Sequence, residues 1–274
     1  MKQSLLLFAC LLISSFCSPA ANSNIDRFPT PPDAPNRLFY IQRSSNANAV
    51  IYDANILPNK YLYSDQRLRE PVIEEVHNSV ISRNAYGCLV LNTADVMFVD
   101  IDFPEKKPAG LLKSFFKTSE KNVQEETIEK IESWTSQNPQ WGWRIYRTFA
   151  GLRLLATNGV FAPDVPDTVA VFEALGADPL YRTLCKVQKC FRARLTPKPW
   201  RCDLQAPSVR WPWASDDEAR NFSAWQNHYE KSASSFATCQ LIKIIGNPIV
   251  HPSVQPIVDL HDRLSRVGTD LPLA

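Results

Sequence analysis

The chain has 274 residues with a formal net charge of +2 and a sequence pI of about 8.1, so it lacks the basic excess typical of a nucleic-acid-binding domain, although a local basic patch is compatible with this total. Its 45% hydrophobic content excludes a disordered chain and is sufficient for one large domain with a sizeable core. The sequence contains none of the patterns G-x-G-x-x-G, G-x-x-x-x-G-K-[ST], G-x-S-x-G or H-E-x-x-H, which leaves glycine-rich phosphate loops and the common hydrolytic sites unsupported.

The N-terminus has the pattern of a secretory signal peptide. Lys2 precedes an apolar run from Leu5 to Phe16, and small residues follow at Ser18 and Ala20. This run is short for a bilayer span of roughly 20 residues. We therefore predict a signal peptide over residues 1–20, cleaved near Ala20, and no membrane-spanning segment in the mature chain. An uncleaved anchor helix is the alternative.

The cysteines favour a different compartment from the leader. Two of the 7 cysteines lie in the predicted signal peptide, and the odd number that remains is not typical of a disulfide framework. We predict that these thiols are buried as small hydrophobic residues. The chain is thus exported to the periplasm or medium if the leader is used, and cytoplasmic if the leader is a fusion or start-site artefact.

The next segment, residues 21–56, combines a Pro-rich linker with a short hairpin. The linker is SNIDRFPTPPDAPN, and two short apolar runs around a Ser/Asn-rich turn, within RLFYIQRSSNANAVIYDANI, predict the strand pair. Residues 24–56 resemble the start of an uncharacterised secreted bacterial domain family that opens with LFYIQRSxNxNxIVY. The resemblance implies a bacterial, secreted leader joined to a separate domain, which we predict over residues 57–274.

The first half of that domain shows apolar runs separated by turns. Residues 70–82 have apolar side chains at helical spacing and predict a helix. Residues 87–92 and 96–102 predict two strands of a hairpin, and residues 142–157 predict a second strand pair with Gly151 near its turn.

The second half alternates helices and strands. Asp178 and Ser215 are predicted helix N-caps. The predicted elements are a helix over residues 124–137, helices in TVAVFEAL and DPLYRTLCKVQK, a strand over residues 190–196, the helix after Ser215, a strand in TCQLIKIIG and a C-terminal helix. Strands joined as hairpins predict an α+β fold whose antiparallel or mixed sheet has helices packed on one side.

The stretch VMFVDIDFP carries two acids at the end of a predicted strand. Asp100 and Asp102 point to the same side, and two carboxylates are ligands suited to Mg²⁺ or Mn²⁺. Several basic residues later in the chain are candidates for binding phosphate, namely Arg147, Arg153, Arg192, Arg194 and Lys198. Metal-binding acids and phosphate-binding bases are the components that phosphoryl transfer requires. The alternative is a structural network in which Arg and Asp pair across adjacent strands.

Over about residues 87–199, the order of these patterns resembles the archaeo-eukaryotic primase superfamily, of the primase-polymerase type. Its hhhDhD strand, yRTxxGyHhh strand pair and hRhSpK-like strand are matched by Asp100 and Asp102, by Arg147, Thr148 and Gly151, and by Arg194, Thr196 and Lys198. The resemblance implies an RRM-like palm and metal-dependent nucleotidyl transfer. Arg153 stands where the family has its motif histidine, and only Asp203 and Asp259 are loose candidates for the third metal-binding acid. A member that binds its ligand without polymerising fits these departures better.

Our leading hypothesis is a divergent primase-polymerase-like domain. It binds a divalent metal through Asp100 and Asp102, and a nucleotide or nucleic acid through four basic residues, Arg147, Arg153, Arg194 and Lys198. If it is an enzyme, its reaction is of the metal-dependent nucleotidyltransferase type. The alternative is an exported, non-catalytic globular protein. The tryptophans of the loop over residues 200–213 leave two roles open, stacking on bases or clamping the loop onto the core.

Overall fold

A computed structural model gives the structure of the chain. It describes residues 25–27, 39–43, 49–53, 70–76, 78–104 and 120–274. The predicted signal peptide and most of the predicted linker lie outside these residues. No helix within the described ranges has the length and apolar character needed to cross a membrane.

The described residues form an α+β fold with two antiparallel sheets and five α-helices, which confirms the predicted class. The first sheet has the order β1-β2-β3-β4-β5-β6-β10 and the second the order β11-β8-β9-β7. The strands are β1 Ile25–Arg27, β2 Phe39–Arg43, β3 Ala49–Asp53, β4 Glu70–Val76, β5 Ser79–Arg83, β6 Leu89–Thr93, β7 Phe98–Asp102, β8 Gly142–Thr148, β9 Gly151–Ala156, β10 Phe191–Arg194 and β11 Cys239–Gly246. The helices are α1 Glu120–Gln137, α2 Pro166–Leu175, α3 Pro179–Gln188, α4 Asp216–Ala233 and α5 Gln255–Leu264, with a 3₁₀ turn at Pro199–Arg201.

The helix predicted over residues 70–82 is wrong, because this segment forms the antiparallel strands β4 and β5. All five residues of β5 are buried, so its apolar residues do not alternate with exposed polar ones as they do in a half-buried strand. Without that alternation the spacing matched a helix by chance. The valine and isoleucine content, which favours strands, was the better signal.

The hairpin predicted between residues 87–92 and 96–102 is also wrong, although both segments are strands. β6 pairs with β5 and β10, whereas β7 pairs with β9 in the other sheet. The hydroxyl of Thr93 accepts a hydrogen bond from the amide of Val96 at 3.1 Å. This turn takes the chain from one sheet into the other, so β7 meets a strand that lies about fifty residues later in the sequence.

Several local predictions are confirmed. β8 and β9 form the second strand pair. The Asp178 carboxylate accepts the amide of Tyr181 at 2.7 Å at the start of α3, and the hydroxyl of Ser215 accepts the amide of Glu218 at 3.2 Å at the start of α4. The predicted early hairpin is formed by β2 and β3, and β3 also pairs with β4. The domain boundary near residue 57 stays a prediction.

The two faces of the second sheet have different neighbours, because successive residues of β8 point to opposite sides. On one face Trp143 lies near Trp134 of α1, with ring centroids 6.3 Å apart. On the other face Arg144 and Tyr146 both hydrogen-bond to Asp262 of α5. The sheet is thereby fixed between α1 and α5, and its α5 face carries the predicted site.

Candidate anion-binding site

The two predicted acids lie side by side on β7, on the face of the sheet that meets α5. Asp100 is opposite Arg153 of β9, and Asp102 is opposite Gly151. The start of α3 closes the outer edge of β7, because the amide of Asp178 donates to the carbonyl of Asp100 at 2.8 Å. The prediction that both acids lie on one face of the strand is therefore confirmed. Their surroundings on that face differ.

Asp100 forms a two-pronged ion pair with Arg153. Its carboxylate oxygens accept from Nε of Arg153 at 2.8 Å and from Nη2 at 3.2 Å, and Arg153 is only 2% exposed. Nη1 of Arg153 donates to the backbone carbonyl of Arg194 at 2.8 Å. Burial alone lowers the pKa of Arg153, but the charge and hydrogen bonds of Asp100, together with Cys239 and Tyr181, act against it, and the pKa is raised overall. Arg153 thus joins β7, β9 and β10 and has its donors directed at protein atoms.

Asp102 is exposed and lies between acids and bases. Burial of part of the carboxyl raises the pKa of Asp102, and the negative charges of Asp100 and Asp178 raise it further. Lys198 and Arg194 act in the opposite direction on the same pKa. Within the described part of the chain Asp102 has no hydrogen-bonding partner, so its carboxylate is available to a ligand.

Three cations come together beside Asp102, which we call the basic cluster: Arg194 at the end of β10, Lys198, and Arg201 in the 3₁₀ turn. Burial and then the charge of Arg194 lower the pKa of Arg201 to about 10, and burial followed by both arginines lowers the pKa of Lys198. Nε of Arg194 and Nη1 of Arg201 are buried and lack a hydrogen-bond partner among the described residues. An anion beside the cluster would balance its positive charge.

The other two predicted arginines have protein partners. Nη1 of Arg147 donates to the carbonyl of Gly151 at 2.9 Å, and its guanidinium lies over the ring of Phe103, so Arg147 closes the β8–β9 turn. Arg192 forms an ion pair with Glu70 at 2.7 Å on the first sheet. Of the predicted basic residues, the structure brings Arg194 and Lys198 together beside Asp102.

The sequence did not identify Arg201 or Phe149 as site residues, and it left the role of Trp200 open between stacking on bases and clamping the loop. Trp200 and Arg201 lie two and three residues after Lys198 in the stretch KPWR, within the 3₁₀ turn. The only available signal was a third basic residue close to the predicted phosphate-binding pair. Phe149 lies in the β8–β9 turn, where it meets Arg201 through a tertiary contact.

For a metal, the available oxygens are those of Asp102 and the unshared lone pairs of Asp100. In the described ranges no group of three or more His, Cys, Asp and Glu side chains is placed to hold a metal ion. The loose candidate Asp259 is exposed on α5 and accepts from Gln255 at 2.8 Å, and Asp203 is exposed in the loop after the 3₁₀ turn. The donor chemistry of Asp100 and Asp102 fits a hard divalent cation that takes its other ligands from phosphate and water.

A buried polar network lies under the site. Nε2 of His261 is 3.9 Å from Sγ of Cys239, and Nδ1 of His261 is 3.0 Å from Asp262. This order of residue types is that of a cysteine nucleophile with its base, but Cys239 and His261 are 0% exposed. Burial raises the pKa of Cys239. The network therefore stabilises the packing of α5 on the sheet. The described cysteines form no disulfide and are all buried, as predicted.

Comparisons with family models, with curated proteins and with solved structures found no match to this chain.

Proposed function

We propose that this chain binds a phosphorylated ligand, a nucleotide or nucleic acid, at the basic cluster, together with Mg²⁺ or Mn²⁺ at Asp102 and Asp100. One observation carries the proposal. Arg194, Lys198 and Arg201 are partly buried, and the group includes two buried N–H groups without a partner among the described residues. Besides burial, the charge of Arg194 lowers the pKa of Lys198 and of Arg201, and the charge of Arg201 also lowers the pKa of Lys198. A folded protein that keeps like charges together in this way loses stability, and a bound polyanion removes that cost.

The carboxylates explain why a metal belongs to the proposal. Asp102 lies beside the cluster, so a phosphate bound there is repelled by its negative charge. A divalent cation held by Asp102 turns this repulsion into a bridge between carboxylate and phosphate oxygens. Arg153 is a positioning residue in this arrangement, because it fixes the orientation of Asp100 without facing the ligand.

The resemblance to primase-polymerases supports the same ligand class, and an RRM-like palm is part of the proposal. If the site is catalytic, its reaction is metal-dependent nucleotidyl transfer. The second candidate is an exported, non-catalytic protein, and the Asp100–Arg153 pair favours it, because this pair is the cross-strand ion pair expected of a structural network.

A thermal-stability experiment on the purified protein tests the proposal. The wild type is melted with Mn²⁺, with a nucleoside triphosphate, and with both. At 100 times the dissociation constant, binding stabilises a native state by about 2.7 kcal/mol, or roughly 5–10 °C for a chain of this size. We expect this shift in the wild type and in Lys231→Met, whose lysine is exposed on α4.

We expect Asp102→Asn and Lys198→Met to fold normally and to lose the shift. Equal shifts in all four proteins, or no shift at millimolar ligand, refute phosphate binding at this cluster.

A further inference from the structure

Exposed aromatic side chains flank the basic cluster on two sides. We infer that Trp200 and Phe149 are stacking platforms for the bases of a single-stranded nucleic acid whose backbone phosphates lie on the cluster. This inference rests on the proposed function and names its ligand class.

The first platform is Trp200, which is 49% exposed. The rings of Tyr86 and Trp200 are nearly perpendicular, with centroids 5.1 Å apart, and this contact limits the rotation of the indole. Nζ of Lys198 lies 5.4 Å from the centroid of the same ring. A base stacked on Trp200 therefore has a cation within reach of its own phosphate.

The second platform is Phe149, at the tip of the β8–β9 turn, which is 51% exposed. The guanidinium carbon of Arg201 lies 4.1 Å from the centroid of its ring. Like Trp200, Phe149 is therefore an exposed aromatic ring in contact with a residue of the basic cluster. The two rings belong to different loops, which reach the site from different sheets.

The other aromatics of the loop do not share this exposure. Trp213 is half-buried and packs on Phe222 of α4, with centroids 5.4 Å apart, so it clamps the loop onto the core. The loop over residues 200–213 thus contains both predicted roles, the clamp at Trp213 and the exposed platform at Trp200.

Two platforms with cations between them fit a strand better than a mononucleotide. A nucleoside triphosphate offers one base and can occupy one ring. Successive nucleotides offer bases separated by phosphates, which is the alternation of aromatic and basic groups that single-strand-binding surfaces use. The aromatic faces accept any base, so the expected binding is tolerant of sequence and sensitive to salt.

Fluorescence anisotropy with two labelled oligonucleotides tests this inference on the full chain in Mn²⁺ buffer. One is an oligothymidylate, and the other is an abasic strand of the same length, which keeps the phosphates and lacks the bases. We expect the oligothymidylate to bind more tightly. We expect Trp200→Ala and Phe149→Ala each to weaken it by about 5- to 100-fold and to leave the abasic strand unchanged.

The control Ile249→Ala removes an exposed apolar side chain on the loop after β11, and we expect no change in either dissociation constant. Far-ultraviolet circular dichroism confirms that each variant is folded. If both oligonucleotides bind equally and neither aromatic variant matters, while Lys198→Met weakens both, the stacking inference is refuted and the phosphate site stands. If neither strand binds, the stacking inference is refuted, and a triphosphate-induced shift in the melting experiment leaves the phosphate site standing. If the strands bind and Lys198→Met also has no effect, both proposals fail.

Discussion

Asp100→Asn tests whether the first acid of the D-x-D pair serves the fold. The change keeps the shape of the side chain and removes the charge that neutralises Arg153, whose side chain is 3% exposed. Removing one partner of a buried pair costs about 3–5 kcal/mol. Because the Asp100 side chain is 30% exposed, water screens part of this interaction. We therefore expect the free energy of unfolding to fall by about 2–3 kcal/mol.

Asp102→Asn is the matched control, since it makes the same chemical change on the same face of the same strand. Burial and two neighbouring carboxylates disfavour the negative charge of Asp102. Removing this charge is therefore expected to change the free energy of unfolding by less than about 0.5 kcal/mol, or to increase it. Arg153→Met removes the buried cation itself. The double variant Asp100→Asn/Arg153→Met should then be no less stable than Arg153→Met alone, because no charge is left unpaired.

Equilibrium urea unfolding at neutral pH, followed by circular dichroism, gives these four free energies. Similar losses for Asp100→Asn and Asp102→Asn refute the reasoning. Additive effects of the two single changes in the double variant do the same, because they show that Arg153 is hydrated rather than dependent on Asp100.

Three further predictions use the same unfolding assay. Gly151→Ala should lower the free energy of unfolding by at least about 2 kcal/mol, because the added Cβ would lie 2.0 Å from a backbone carbonyl oxygen of β7. Gly159→Ala is the control and should lower it little, because the atom nearest to its added Cβ is 3.8 Å away. Burial lowers the pKa of His261 in the folded protein. Just below pH 6.5, therefore, the unfolded state takes up a proton on this histidine and the folded state does not. The free energy of unfolding should fall in this range by up to about 1.4 kcal/mol for each pH unit that the pH is lowered. This contribution should be absent in His261→Gln and kept in His228→Gln, and equal slopes contradict it. Lys198→Met should raise stability by up to about 1 kcal/mol while losing the ligand-induced shift, and a loss of stability contradicts the repulsion within the cluster.

Local sequence signals predicted the elements that depend on neighbours in the chain. The β8–β9 pair and the caps at Asp178 and Ser215 rest on contacts within a few residues. The two failures concern contacts that no local pattern encodes. β5 is buried on both faces because of what packs on it, and β7 leaves β6 for a strand about fifty residues later. Apolar spacing reports burial and cannot say which partner provides it.

The candidate site shows the same division. Alternation along β7 placed Asp100 and Asp102 on one face from sequence alone. The pairing of Asp100 with Arg153 depends on the register between β7 and β9, which is set by tertiary packing. Arg201 lies in the 3₁₀ turn after Lys198, and it contacts Phe149, which is about fifty residues earlier in the chain. Residue types were therefore readable from the sequence, and the partners that decide their roles were not.

Under the proposed function, metal and phosphate depend on each other. Arg153 occupies one lone pair on each carboxylate oxygen of Asp100, so Asp102 supplies the stronger protein ligand, and a single carboxylate holds Mg²⁺ or Mn²⁺ weakly. A phosphate on the basic cluster adds oxygens to the same cation, while the cation screens that phosphate from Asp102. Each ligand thereby raises the affinity for the other, as linkage requires. Under this proposal Asp100 mainly stabilises the fold through its pair with Arg153, whereas Asp102 mainly serves the ligand. The D-x-D motif therefore has two acids, although the site has one fully available carboxylate.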